Sequence, residues 1–284
     1  MLHRTVAVPI LAAGLLGAAL PGGMGRTPDA ATSKGVEATI LLMADGPLTA
    51  GPAPSTPPLD LAAGEVVMNA ALVPETTIQG GLHMRPLYAD PERGRSTSLV
   101  EWPTGVSLRR HWHPVTERLW MIDGTIASPT DGQVGPGTFW EAPARVAMGP
   151  FTSTGSEFVF LGEGTFETRY LDAGGRAPRA GASFTVDPDT MPWRPLADVE
   201  EAGIDGAVKL LSPGTRSDRS IYLVRLTRQA TSAPYAGFGA NVEGYVLSGS
   251  LRLSDPYHGV HVLAPGFYFR LPAGFPARLS AAAR

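Results

Sequence analysis

The chain has 284 residues, with 23 Lys and Arg against 26 Asp and Glu and a formal net charge of −3. No long basic run exists, which sets aside nucleic-acid binding through phosphate neutralisation. The absence of cysteine excludes disulfides, thiolate metal ligands and cysteine nucleophiles, so stability must come from burial, and the length is enough for two ordinary domains.

Met1 to about Gly25 reads as an export signal. His3 and Arg4 form a short n-region, Val6 to Leu20 is apolar, and small residues follow. That run is short for a transmembrane helix, which needs about 20 apolar residues; the alternative is an uncleaved anchor. No cysteine follows it, so a lipoprotein is excluded. The expectation is a periplasmic or secreted protein with no stable membrane span after signal cleavage.

Residues 26–58 read as a linker, because Gly46 to Pro58 is too proline-rich to pack. Inside it, Val36 to Met43 is apolar without an evident role, at most a stray strand. From Leu59 onward, short β-type runs are broken by Gly, Pro, Asp and Ser, the pattern of an all-β sandwich or barrel. Glu65–Leu72, Leu82–Tyr88, Ser96–Glu101, Thr125–Ser128 and Thr138–Ala142 are predicted strands. Ser156–Leu161 and Thr165–Leu171 are predicted to form a hairpin across Gly162-Glu163-Gly164. Leu171 to Ala182 is a Gly-, Ala-, Pro- and Arg-rich connector, taken as the boundary between a domain over 59–182 and another over 183–284. Beyond it, Phe184–Val186 is a short strand and Asp198–Ala202 a helical turn. Ala207–Leu211, Ser220–Thr227, Gly244–Leu247, Leu251–Ser254 and Phe267–Leu271 are further strands.

Gly105 to Gly124 carries the chemistry. Residues i and i+2 of a strand share a face, so His111 and His113 can aim two imidazoles at one point while Trp112 faces away. Pro114 ends that strand. Glu117 begins the next, up to Asp123, and can lean toward the same point. Two imidazoles and a carboxylate suit one divalent metal: Fe(II) or Mn(II) first, with Zn, Ni or Cu as alternatives. The plainer reading is a degenerate site kept for packing.

The chain also repeats itself. Leu119-Trp-Met-Ile-Asp-Gly124 parallels Gly244-Tyr-Val-Leu-Ser-Gly249, and Gly135 to Pro143 parallels Ala264 to Pro272. Two copies of one β-domain is the simplest account.

These residues resemble the cupin superfamily. Its first motif, G-x5-H-x-H-x3-E-x6-G, is met without a gap by Gly105, His111, His113, Glu117 and Gly124. Gly137 and Pro143 fit the second motif, but Met148 stands where its histidine is usual. The second copy has Ala236, Phe238 and Val242 in the first-motif ligand positions and Ala277 in the last. The tandem is similar to exported bicupins related to ChrR-type cupins. The resemblance implies two tandem cupin (jelly-roll) barrels, the second degenerate, usually with one divalent metal, and a homodimer through sheet edges. Only Arg278 to Arg284 follow Ala277, so either another segment, with Glu65–Leu72 the candidate, completes the second barrel, or its edge is open.

Further candidates surround the motif. Met148 is an apolar wall, or a thioether ligand that would favour Cu(I). Glu101 could hold a ligand histidine from behind, against a solvated surface position. Trp112, Trp120 and Trp140 read mainly as packing. Trp140 and Glu141 face opposite ways, so one of them could line a pocket. His83, His258 and His261 are expected at the surface. The reading is a metal-dependent, dioxygenase-like oxidoreductase or related enzyme of a small molecule. The rivals are a small-ligand binding or sensing module without turnover, and a structural bicupin whose metal only braces the first barrel.

Overall fold

In the computed structural model the described residues are 37–46, 48, 50–51, 66–78, 80–195, 206–214, 219–227 and 235–282. The signal reading of residues 1–25, the linker reading of 26–36 and 52–58, and the helical turn Asp198–Ala202 lie outside them.

Two seven-stranded antiparallel sheets dominate. The first runs Phe184–Val186, Phe139–Ala142, Thr116–Asp123, Ser156–Glu163, Arg95–Trp102, His83–Asp90, Thr76–Thr77. The second runs Arg194–Pro195, Gly206–Ser212, Ser220–Leu226, Ala38–Ala44, Val242–Ser248, Phe267–Leu271, Val66–Asn69. A four-stranded sheet closes the first barrel and a five-stranded sheet closes the second.

Strand alternation sorts the apolar residues into three cores. On Thr116–Asp123, Leu119 and Met121 point into the first barrel while Trp120 points out of it. On Ser156–Glu163, Phe158 points in while Val159 and Leu161 point out. The outward set meets Leu41, Met43, Ile221, Leu223, Tyr245 and Tyr268 of the second sheet. The two large sheets therefore share a core, and their central strands carry apolar side chains on both faces. The second barrel has its own interior, built on Ile40, Leu42, Val246, Phe269 and Phe275.

The shared layer also buries charge. Arg219, fully buried, donates to Glu163 at 2.8 Å and to Glu243 at 2.8 Å. Arg118 donates to Glu141 at 2.8 Å and lies 3.2 Å from Glu163, whose side chain is wholly buried. Tyr268 donates its hydroxyl to Glu243 at 2.8 Å. Burial opposes the charge on Arg219, but Glu243 and Glu163 outweigh it, so its pKa is raised.

Three expectations are corrected. Ala38–Ala44 is no stray strand in a linker. It pairs with Ser220–Leu226 on one side and Val242–Ser248 on the other, and Ile40, Leu41, Leu42 and Met43 are fully buried. Each such side chain contributes about 1.5–3 kcal/mol of burial. Next, the domains are not contiguous at 182/183. Phe184–Val186 pairs with Phe139–Ala142 of the first barrel, and Val66–Asn69, from the first segment, pairs with Phe267–Leu271 of the second. Val66–Asn69, within the candidate segment Glu65–Leu72, thus adds a strand to the second barrel. Finally, Thr165–Leu171 forms no hairpin with Ser156–Glu163. That strand already has Arg95–Trp102 on one edge and Thr116–Asp123 on the other, so no ladder is free. The chain instead crosses over, and Arg169–Tyr170 pairs with His111–Trp112.

The repeat is real in three dimensions. Gly124 and Gly249 close equivalent strands with φ of +68° and +73°. A Cβ at Gly124 would strike the Gly155 carbonyl, and one at Gly249 the Glu37 carbonyl. Both positions need glycine for its conformation and its lack of bulk. Among the described residues no helix is long and apolar enough to cross a membrane.

Candidate metal centre

His111 lies on the short strand His111–Trp112, His113 just beyond it, and Glu117 on Thr116–Asp123. The alternation that sends Leu119 and Met121 into the first barrel sends Glu117 there too. Ligand atoms of His111, His113 and Glu117 all lie within 4.8 Å of one another. The two imidazoles meet edge to face, with centroids 4.9 Å apart.

Each ring is locked from behind. His111 Nδ1 is 2.6 Å from the Arg109 carbonyl oxygen, and His113 Nδ1 is 2.9 Å from that of Glu167. A carbonyl only accepts, so Nδ1 carries the proton and Nε2 keeps its lone pair for the centre. Burial pulls the His111 pKa down, which favours the neutral ring a metal needs. Burial opposes protonation of His113 as well, but Glu117, whose Oε2 is 3.3 Å from His113 Nε2, raises it on balance. Glu117 Oε2 is buried with no hydrogen-bond partner. Two fixed imidazole lone pairs and an orphaned carboxylate oxygen are a donor set that fits a divalent cation.

A cavity of about 610 Å³ lies against this triad, lined by His111, His113 and Glu117 together with Trp102, Trp140, Phe151 and Phe158, among others. Of the paired candidates, Trp140 lines it. Glu141 faces away, accepting from Arg118 at 2.8 Å and Ser212 at 2.6 Å, which removes it from the pocket. Glu101 is exposed, because Trp102 beside it is the residue turned inward, with its indole N–H donated to the Val106 carbonyl at 3.0 Å. Glu101 therefore supports neither histidine. Met148 exchanges backbone hydrogen bonds with His111 at 3.0 and 2.8 Å. Its side chain packs in the first-barrel core and does not line the cavity. Trp112 lies beneath the Arg169 guanidinium, and Trp120 is in the shared core. His83 pairs with Glu75 at 2.8 Å, and the partly exposed His258 lies 3.3 Å from Asp255.

The crossing segment supplies what the sequence reading missed. Phe166 stacks on His113 with centroids 4.1 Å apart, and Tyr170 meets His111 edge-on at 5.9 Å. The Glu167 carbonyl orients His113. A run read as a hairpin arm gave no signal of this, although its two aromatic residues were visible.

Residues 63–167 match the family model of the ChrR cupin-like domain. The fold is similar to a "putative dioxygenase" of Nostoc punctiforme PCC 73102, at TM-score 0.60 and 18% identity over 77% of this chain and 79% of that one. It is also similar to the protein Ylba of E. coli, at TM-score 0.54 and 13% identity over 77% and 87% of the two chains. A cupin 2 conserved barrel domain protein of Leptotrichia buccalis matches at TM-score 0.51 and 13% identity, over 77% and 91%. At these identities the likeness is one of fold. No curated protein sequence matches the chain. Residues 63–167 thus contain a ChrR cupin-like domain, set in a fold of two β-barrels, and its His-His-Glu group is able to hold a metal.

Proposed function

We propose that this protein is an exported, metal-dependent oxidoreductase of the dioxygenase-like kind, acting on a small molecule held in the first barrel. One observation carries the reading: the triad faces a cavity of ligand size rather than a packed interior. A bracing site would be closed by a fourth protein donor, and here the position of the usual fourth ligand is Met148, which packs in the core. When bound, a divalent metal supplies Lewis acidity and, as Fe(II) or Mn(II), an electron for O2. The chain does the rest. Arg109 and Glu167 carbonyls orient the imidazoles, Glu117 contributes one negative charge, and the aromatic wall keeps bulk water from the reacting atoms. Support for export is the apolar run Val6 to Leu20 behind His3 and Arg4.

The test is nitric oxide added to Fe(II)-loaded protein without oxygen. A high-spin ferrous-nitrosyl spectrum reports an open position and supports the enzyme reading. Full iron occupancy without that spectrum overturns it. Oxygen uptake with a turned-over substrate separates this reading from a binding module.

A further inference from the structure

The cavity wall says what kind of molecule fits. Its 25 lining residues include no lysine and no arginine, and only Glu117 and Glu167 carry charge. Glu167 is occupied elsewhere, pairing with Arg169 at 2.9 Å with both side chains more than half exposed. Most of the wall is hydrocarbon and aromatic: Leu82, Met84, Val100, Leu119, Phe158 and Phe160 are typical. At its rim Phe166, 39% exposed, stacks on His113 and meets Phe160 edge-on at 5.0 Å.

Charge balance follows. A divalent cation on two neutral imidazoles and one carboxylate retains one positive charge, enough for one anionic oxygen. A second anionic group on the ligand would lie against apolar side chains with no cation to meet it, and burying an unpaired charge is strongly unfavourable. The wall's neutral polar groups, among them Ser96, Ser98 and the unpartnered indole N–H of Trp140, can meet a hydroxyl or carbonyl but not a second charge. We infer that the site takes a largely aromatic or hydrocarbon small molecule that presents no more than one anionic oxygen, at the His111/His113/Glu117 end of the cavity, with Phe166 as a stacking platform at the rim. Dicarboxylates and phosphate esters are disfavoured by this lining. The inference rests on the proposed metal-dependent reading for the oxygen end and on the cavity alone for the apolar end.

The test is calorimetric titration of the full protein, Mn(II)-loaded and EDTA-treated, with naphthalene, 2-naphthol and naphthalene-2,6-dicarboxylate. Naphthalene is expected to bind both forms equally, reading the cavity without the metal. 2-Naphthol is expected to bind about tenfold more tightly when Mn(II) is present, and the dicarboxylate about tenfold more weakly than 2-naphthol. Phe166→Ala is expected to weaken naphthalene binding about fivefold while Mn(II) stoichiometry stays unchanged. Dicarboxylate binding equal to 2-naphthol binding, or no naphthalene binding, overturns the ligand class whatever the metal does. Unaltered naphthalene binding by Phe166→Ala overturns the platform. Naphthalene binding with no Mn(II) effect on 2-naphthol refutes the oxygen end and the metal reading, and leaves the apolar end supported.

Discussion

The Glu167 carbonyl oxygen lies 2.9 Å from Nδ1 of His113, a residue 54 positions earlier in the chain. This contact fixes which nitrogen of His113 faces the centre. It exists because Thr165 to Leu171 leaves the sheet and runs past the ligand strand.

The contact is made by backbone, and that is testable. The Glu167 side chain is 56% exposed and reaches Arg169, an exposed pair of little worth. Glu167→Ala is therefore expected to keep metal affinity within about twofold of wild type. Deleting Thr165 and Phe166 pulls the carbonyl out of place and is expected to lower affinity about 10–100-fold. Isothermal titration with Mn(II) measures both. Equal affinities for the wild-type and deleted chains would show that the carbonyl does not orient the ring.

The buried charges between the barrels make a second prediction. Glu163 lies 2.8 Å from Arg219, 3.2 Å from Arg118 and 3.6 Å from Arg95. Glu163→Gln leaves these guanidinium groups with one carboxylate fewer inside the protein. It is expected to destabilise the fold by about 3–5 kcal/mol, the usual cost of breaking a buried pair from one side. Urea unfolding followed by tryptophan fluorescence reads it. A loss below about 1 kcal/mol would mean the network is hydrated and contributes as a surface pair does.

The shared core also predicts how stability responds to alkali. Burial, with Glu157 nearby, pushes the Tyr245 hydroxyl up to about 12, and burial with Glu243 raises Tyr268 well above its ordinary value. An unfolded tyrosine ionises near pH 10. Above that pH the unfolded chain releases protons the folded chain retains, so the stability these groups supply is full below about pH 10 and is lost as pH rises toward about 12. Unfolding free energies measured across this window should fall, and Tyr245→Phe should make the fall shallower. An unchanged slope in the variant would contradict burial of the hydroxyl.

The grouping of His111, His113 and Glu117 and the repeat were legible because they depend on spacing. His111, His113 and Glu117 follow strand alternation, and Gly124 and Gly249 occupy turns that tolerate only glycine. What depends on the partner of each strand was not legible. Ala38–Ala44 sits between proline-rich and weakly patterned stretches, and nothing local says that two strands from residues 220–248 close on it. The exchange of Val66–Asn69 and Phe184–Val186 between barrels is hidden for the same reason. Glu141 was a pocket candidate by alternation alone, and only the second sheet packed over that face, with Arg118 and Ser212 donating to it, makes the face an interior of its own. Alternation set Trp140 and Glu141 on opposite faces but did not say which of the two lines the cavity; the sheet packed over Glu141 decides it.

The most direct measurement is the metal content of protein purified from its native compartment, wild type beside a His111→Ala/His113→Ala variant, with folding of both verified by circular dichroism. The account predicts about one divalent ion per chain in the wild type and nearly none in the folded variant. Equal, near-zero metal in both, or equal full occupancy in both, would contradict it.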